Sequence, residues 1–251
     1  MNINRTDFLE AFARSTPALN LICLNHSGSP TKLLTDISSI TLLVDKRGYA
    51  DFVDYCKKNP LVREIVIHPH YRRATAIISF RDGSELNFTL LRHMVRKTIN
   101  CLDIEDIRQN AFTNEFGMLV PAAEHHYEFM ILNCQFSKYV LADRYRNYFA
   151  GFDFNTRATI FKYIQTRFNL IFNTLEDLYE PKPNMLLSIV IGLRADRKNS
   201  LLRMFLRSIE QLLFNIFGLI TKRTIRIESK RRNSPEHSSS NQQRAAGQSL
   251  R

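Results

Sequence analysis

The feature that most constrains this chain is a change of hydrophobic period near residue 100. Before it, apolar residues alternate or run in short blocks bounded by turn residues; after it they recur every three or four positions. The first part predicts strands over 19–24, 40–44, 62–67, 74–80 and 85–91. The last two are joined by Arg81-Asp82-Gly83-Ser84, a hairpin signal because Gly accepts a positive φ at no steric cost. A short amphipathic pattern with Phe8, Leu9 and Phe12 precedes the strands, and a helix over 49–59, entered from Asp45-Lys46-Arg47-Gly48, lies among them. The second part predicts helices: a short one capped by Asp103, one begun by Pro121 and Glu124 and running to 136, then 138–149, 155–179, 184–196 and 200–221. Strands followed by helices imply an α+β fold, a small mixed β-sheet with a helical half behind it. The expected organisation is an α/β module over 1–102, a helical module over 103–221 and a basic disordered tail over 222–251.

Composition removes several alternatives. Eight Gly and eight Pro in 251 residues are too few for a collagen-like chain or a glycine-rich phosphate loop. Cys23, Cys56, Cys101 and Cys134 are 33, 45 and 33 residues apart, a spacing that suits neither a zinc ribbon nor a compact disulfide framework. They read as reduced, buried thiols of a cytoplasmic protein. No apolar run is long enough to cross a bilayer, and the first 14 residues, with Asp7 and Glu10, resemble neither a secretory nor a transit peptide.

The net charge of +11 is unevenly placed. From Lys222 onward there are eight basic residues against Glu228 and Glu236, so the tail holds +6 and leaves +5 for the rest. A polyanion partner would therefore be met by the tail rather than by the fold. The preceding segment places Leu201, Leu202, Phe205, Ile209, Leu212, Leu213, Ile216, Phe217 and Ile220 on one helical stripe flanked by Arg203, Arg207, Lys222 and Arg223. Such a stripe packs on the helical half or on a partner, or lies peripherally on an anionic inner membrane with Lys230-Arg231-Arg232 beside it. Tyr139, Tyr145, Tyr148 and Phe149 with Arg144 and Arg146 would suit base stacking, but such mixtures more often pack internally, and no specific nucleic acid is expected.

Common catalytic signatures are missing: there is no Walker loop, dinucleotide fingerprint, nucleophile elbow or zincin motif. His68-Pro69-His70 offers two imidazoles without a third ligand nearby, and His125-His126 point about 100° apart on a helix, so neither pair makes a metal site.

One constellation is more specific. A loop with Gly28-Ser29 precedes Ser39-Ile40-Thr41-Leu42-Leu43-Val44-Asp45-Lys46, a helix follows, and the hairpin Phe80-Arg81-Asp82-Gly83-Ser84-Glu85-Leu86-Asn87-Phe88 closes the set. Further on stand Cys101-Leu102-Asp103-Ile104-Glu105, a Gly117 to Glu124 segment and a Lys138 to Arg146 segment. Over residues 20–150 this resembles the nucleotidyltransferase-like modules of bacterial polysaccharide gene clusters, which often precede a thymidylate-kinase-like P-loop domain. The resemblance implies a mixed sheet whose first long strand carries aspartates at i and i+2, joined by a third carboxylate on a neighbouring strand. Side chains at i and i+2 of a strand share a face about 7 Å apart and can hold Mg²⁺ jointly, so that it neutralises a triphosphate.

Laid on that pattern, Ser39 and Thr41 replace the first two aspartates and Asn87 the third, so three negative charges are gone. Two hydroxyls and an amide compensate poorly for the water that Mg²⁺ must release. The resemblance then implies a catalytically degenerate protein in surface-polysaccharide biosynthesis. It would bind a nucleotide, sugar phosphate or protein partner, with no cofactor. Gly28, Ser29, Asp36, Lys46, Asp82, Glu85 and Lys138 are the candidate ligand-binding residues. Three alternatives stand beside it. Asp36, Asp82 or Glu85 could supply carboxylates to an active Mg²⁺-dependent transferase. A register starting at Asp36, with Ser38 second, would keep one acid. Read alone, Ser38-Ser39-Ile40-Thr41 is simply a strand entry with a β-favouring threonine. The segment 222–227 resembles the approach to a P-loop, but no phosphate loop follows, so kinase chemistry would need a kinase-like partner chain.

Overall fold

A computed structural model describes residues 3–25, 39–96, 98–221 and 224–228. The chain opens with helix α1 (Ile3–Ser15), strands β1 (Ile22–Cys23) and β2 (Ile40–Leu43), and helix α2 (Lys46–Lys58). Strands β3 (Val62–His70), β4 (Arg73–Phe80) and β5 (Glu85–Leu91) follow, then the short pair β6 (Val95–Arg96) and β7 (Ile99–Asn100). After α3 (Ile104–Gln109) and the pair β8 (Phe112–Thr113) and β9 (Leu119–Val120) come α4 (Ala123–Ser137), α5 (Asp143–Ala150) and α6 (Phe154–Phe168). The chain continues through α7 (Pro183–Ala195), α8 (Leu201–Thr221) and strand β10 (Ile225–Glu228). The fold is α+β, with a six-stranded mixed sheet in the order β1-β2-β5-β4-β3-β10.

Register sorts the side chains of that sheet. β2 lies parallel to β5 with Thr41 opposite Thr89, and all its other neighbours run antiparallel. Because side chains alternate between faces, Ile40, Leu42, Phe88 and Leu90 all enter one core with Phe8, Phe12 and Phe52 from α1 and α2. Phe88 sits at its centre, its ring centroid 5.4 Å from Phe12 and 5.2 Å from Phe52. Leu43 and Leu91, on the opposite face, join a second core built from α4 to α7. The helical half is therefore the second cover of the sheet, and the boundary expected at 102/103 runs through one shared core. Helices of both halves leave the sheet sandwiched, as layer packing requires.

Several predicted ends move for local reasons. α2 starts at Lys46 rather than at 49, because Asp45 Oδ1 accepts from Gly48 N at 2.6 Å and so caps the helix ahead of the glycine. The strand expected over 19–24 shortens to two residues, since Asn20 turns the chain at a φ of 52°. The helix expected over 155–179 stops at Phe168, where Asn169 takes the left-handed conformation at a φ of 49°. Pro121 precedes α4 instead of occupying its first turn. The Asp82-Gly83 turn closes its hairpin as expected, with Gly83 at a φ of 83° and Phe80 N donating to Ser84 O at 2.8 Å. The expected tail is corrected in part. Residues 225–228 pair with β3 and extend the sheet by one edge strand, because Ile225 and Ile227 carry the alternating pattern that a strand needs. Residues 229–251 lie outside the described residues.

All four cysteines are free and buried. Burial pushes the Cys101 thiol up to about 12, so it stays protonated. The helical half is also tied by a buried charged cluster. Glu128, with a side chain 0% exposed, accepts from Tyr163 OH at 2.8 Å and from Arg167 Nε at 3.3 Å. Arg167 reaches Asp196 with its other arm at 3.0 Å, which joins α4 and α6 to the end of α7. Removing one partner of a buried pair strands the other charge, which costs about 3–5 kcal/mol. Arg167→Met is expected to lower stability by about that much in urea unfolding at neutral pH, while Glu128→Gln with Arg167→Met loses less.

Candidate functional site

The sheet face that bears Ser39 and Thr41 opens into a cavity of about 630 Å³. Its floor is apolar, with Leu91, Met94, Phe129 and Met130, and its far wall holds Gln211 and Asn215 of α8. Ser39 and Thr41 are two residues apart and share that face. Their backbone is fixed by Asn25, whose Nδ2 donates to Ser39 O at 2.8 Å while its Oδ1 accepts from Thr41 N at 2.7 Å. Asn25 thus continues with its side chain the ladder that β1 makes with its backbone, and Tyr145 OH donates to Asn25 O at 3.0 Å to hold it there.

The third position is corrected by a side-chain contact. Asn87 lies one pleat before Thr89 on the same face of β5, but it is exposed and outside the cavity. Thr89 stands beside Ser39 instead, the two hydroxyls 3.1 Å apart. The polar surface at this point is three hydroxyls, and among the described residues that line the cavity there is no aspartate or glutamate.

Cations surround these hydroxyls. Arg73, Arg96 and Arg144 come from β4, β6 and α5, and His70 and His93 stand with them. Arg144 lies over the Tyr145 ring at 4.7 Å, a cation-π contact that fixes its guanidinium at the rim. Neither Arg73 nor Arg96 forms an ion pair with a described residue, and Arg96 Nε is buried with no hydrogen-bond partner among them. An unmet buried donor of this kind is costly unless a ligand accepts from it. Both histidines are shifted down. Burial and the nearby Arg72, Arg92 and Arg207 push His93 down to about 4, and burial with Arg73 and His68 lowers His70. Both rings are therefore neutral at pH 7, in a cavity whose fixed charges favour an anion.

The other candidates named from sequence are not gathered here. Lys46 is exposed at the start of α2 and borders a smaller cavity of about 370 Å³ with Arg72, Arg73 and Arg92. Asp82 is spent on its own turn, accepting from Ser84 N at 3.0 Å and from Ser84 Oγ at 2.6 Å. Glu85 accepts from Ser79 Oγ at 3.1 Å at the end of β5 remote from Thr89. Lys138 is exposed at the left-handed C-cap of α4, while its neighbour Tyr139 reaches the cavity. Gly28, Ser29 and Asp36 lie outside the described residues. Of the aromatic and arginine mixture in 139–149, Phe149 is buried, Tyr148 packs on Phe149 and Phe152, and Arg146 donates to Leu141 O at 2.7 Å. Those groups serve internal packing. Among the described residues no three His, Cys, Asp or Glu side chains come together as a metal set.

No family model, curated protein or solved structure matches the chain. The assignment of chemistry therefore rests on the cavity.

Because the folded state holds His93 below its ordinary value of about 6.5, its contribution to stability is present above that pH and is lost as pH falls toward 4. The His93 ring protons are expected to titrate near pH 4 in NMR spectra of the free protein. His93→Asn should flatten the loss of thermal stability between pH 6.5 and 4, each value following from the same shift.

Proposed function

We propose that this chain is a catalytically degenerate nucleotidyltransferase-like protein whose cavity binds a phosphorylated ligand, a nucleotide or sugar phosphate, in surface-polysaccharide biosynthesis. One observation carries the reading. Three hydroxyls, those of Ser39, Thr41 and Thr89, occupy the sheet face of a cavity ringed by Arg73, Arg96 and Arg144, with no acid among its described lining residues. A cavity of about 630 Å³ is of the size that holds a nucleotide-sized molecule. Guanidinium groups suit phosphate oxygens because they present several N–H donors in one plane. Without the paired carboxylates, the described residues give Mg²⁺ no anionic seat at this face, and the arginines neutralise the ligand directly.

The active-transferase alternative is weakened by placement. Asp82 and Glu85 stand at the hairpin end of the sheet, away from the hydroxyls, which leaves Asp36 as the acid on which it would rest.

Calorimetric titration of the full chain with ATP, a nucleotide sugar and inorganic pyrophosphate, each with EDTA and with Mg²⁺, tests the reading. Binding is expected to persist in EDTA. Arg73→Ala and Arg96→Ala should each weaken it about 10- to 100-fold, the loss expected for a charge-assisted hydrogen bond. Binding that requires Mg²⁺ and disappears in Asp36→Ala would overturn the degenerate assignment. Failure of all three ligands to bind would overturn the phosphate assignment.

A further inference from the structure

The geometry points to α8 as a membrane-docking helix that lies in the plane of an anionic lipid surface. This inference is independent of what the cavity binds, since it concerns the opposite side of the same helix. The sequence stripe leaves three settings for the apolar face, the helical half, a partner or an anionic membrane surface. In the structure the polar side is the one that packs inward.

Arg207 donates to Thr98 O at 2.9 Å, to Asn199 Oδ1 at 2.7 Å and to Lys198 O at 2.6 Å. Glu210 pairs with Arg72 and accepts from Tyr71 OH at 3.1 Å, and Gln211 and Asn215 face the cavity. The nine apolar residues from Leu201 to Phe217 are left outward, between 40% and 85% exposed. At 100° per residue they cover about 160° of the helix circumference without one charged side chain among them.

Two features select the occupant. First, the helix is not long and apolar enough to cross a membrane, so its apolar face can lie on a bilayer but not span it. Second, its charge complements an anionic leaflet. Arg203 stands at the margin of the stripe, Lys222 and Arg223 follow its end, Lys230, Arg231 and Arg232 come next, and residues from Lys222 onward carry +6. Each basic residue held near such a surface strengthens partitioning about fivefold. A second copy of the chain is the poorer match. It would set one +11 molecule against another, and an arc of about 160° is broader than the seam that two paired helices use.

Flotation of the full chain with lipid vesicles tests the assignment. One set is phosphatidylcholine alone, and in the other a third of the lipid is phosphatidylglycerol. Binding is expected to the anionic vesicles, to fall steeply as salt is raised, and to be weak on the neutral ones. Leu212→Glu with Ile216→Glu should reduce anionic-vesicle binding more than about tenfold, because two carboxylates are placed where acyl chains would be. Both positions are exposed, so an unchanged thermal melt separates this effect from unfolding. Lys230→Gln, Arg231→Gln and Arg232→Gln together should weaken it about 100-fold and flatten its salt dependence. These substitutions are preferred to deleting residues 222–251, which would also strip β10 from the sheet edge. No binding to anionic vesicles, or binding indifferent to the Leu212 and Ile216 substitutions, overturns the assignment. A stable dimer that those substitutions dissolve, in protein that ignores vesicles, would assign the face to a second copy instead.

Discussion

The parallel pairing of β2 with β5 is the constraint on which both the core and the cavity depend. With Thr41 opposite Thr89, alternate residues of two adjacent strands are divided between a cluster of phenylalanines and a polar concavity. A slip of one residue in either strand would exchange that strand's two sets, putting Ile40 or Phe88 toward the arginines and that strand's hydroxyls into hydrocarbon. Burial of Phe88 among Phe8, Phe12 and Phe52 therefore does more than stabilise the sheet. It fixes which atoms the cavity presents. Asn25 reinforces the same arrangement from the other edge of β2, where its amide holds the backbone of Ser39 and Thr41.

Around that face the electrostatics all run in one direction. The cavity wall contributes guanidinium groups, and no carboxylate among its described residues neutralises them. Elsewhere in the fold several arginines are matched: Arg167 by Glu128 and Asp196, Arg157 by Glu176, Arg108 by Asp45. His93 at the cavity is held neutral for a related reason, first because it is buried and then because Arg72, Arg92 and Arg207 stand near it. The folded part is only mildly basic by composition, so this potential comes from arrangement rather than from net charge.

Local features of the fold were legible in the sequence, and long-range ones were not. The Asp82-Gly83 hairpin and the extents of α7 and α8 follow from turn chemistry and period, both of which are written in adjacent residues. A mixed sheet with a helical half also follows from where the period changes, while its sixth strand, β10, lies in the segment expected to be tail. The position of the third polar group does not. Asn87 and Thr89 occupy the same face of β5, and only the side-chain packing in the folded sheet decides that Thr89 meets Ser39. Arg73, Arg96, Arg144 and His93 come from separate segments with no shared motif, so their convergence has no signature in the chain. Period likewise shows that α8 has an apolar face while leaving open what that face meets. Arg207 and Glu210 settle which way it points, because hydrogen bonds to Thr98, Tyr71 and Arg72 hold the polar side inward.

The strand after α8 gives that helix a second anchor. Its first half is tied through Arg207 to Asn199, and beyond its end β10 is zipped to β3 over four residue pairs. Held by Arg207 and Glu210, α8 cannot turn its leucines and phenylalanines inward without breaking those bonds. The greasy side of the rod is displayed by construction, and the wall of the cavity and the outer skin of the molecule are two sides of one helix. Whatever rests on its outer side therefore lies one helix diameter, about 10 Å, from the cavity that Gln211 and Asn215 line.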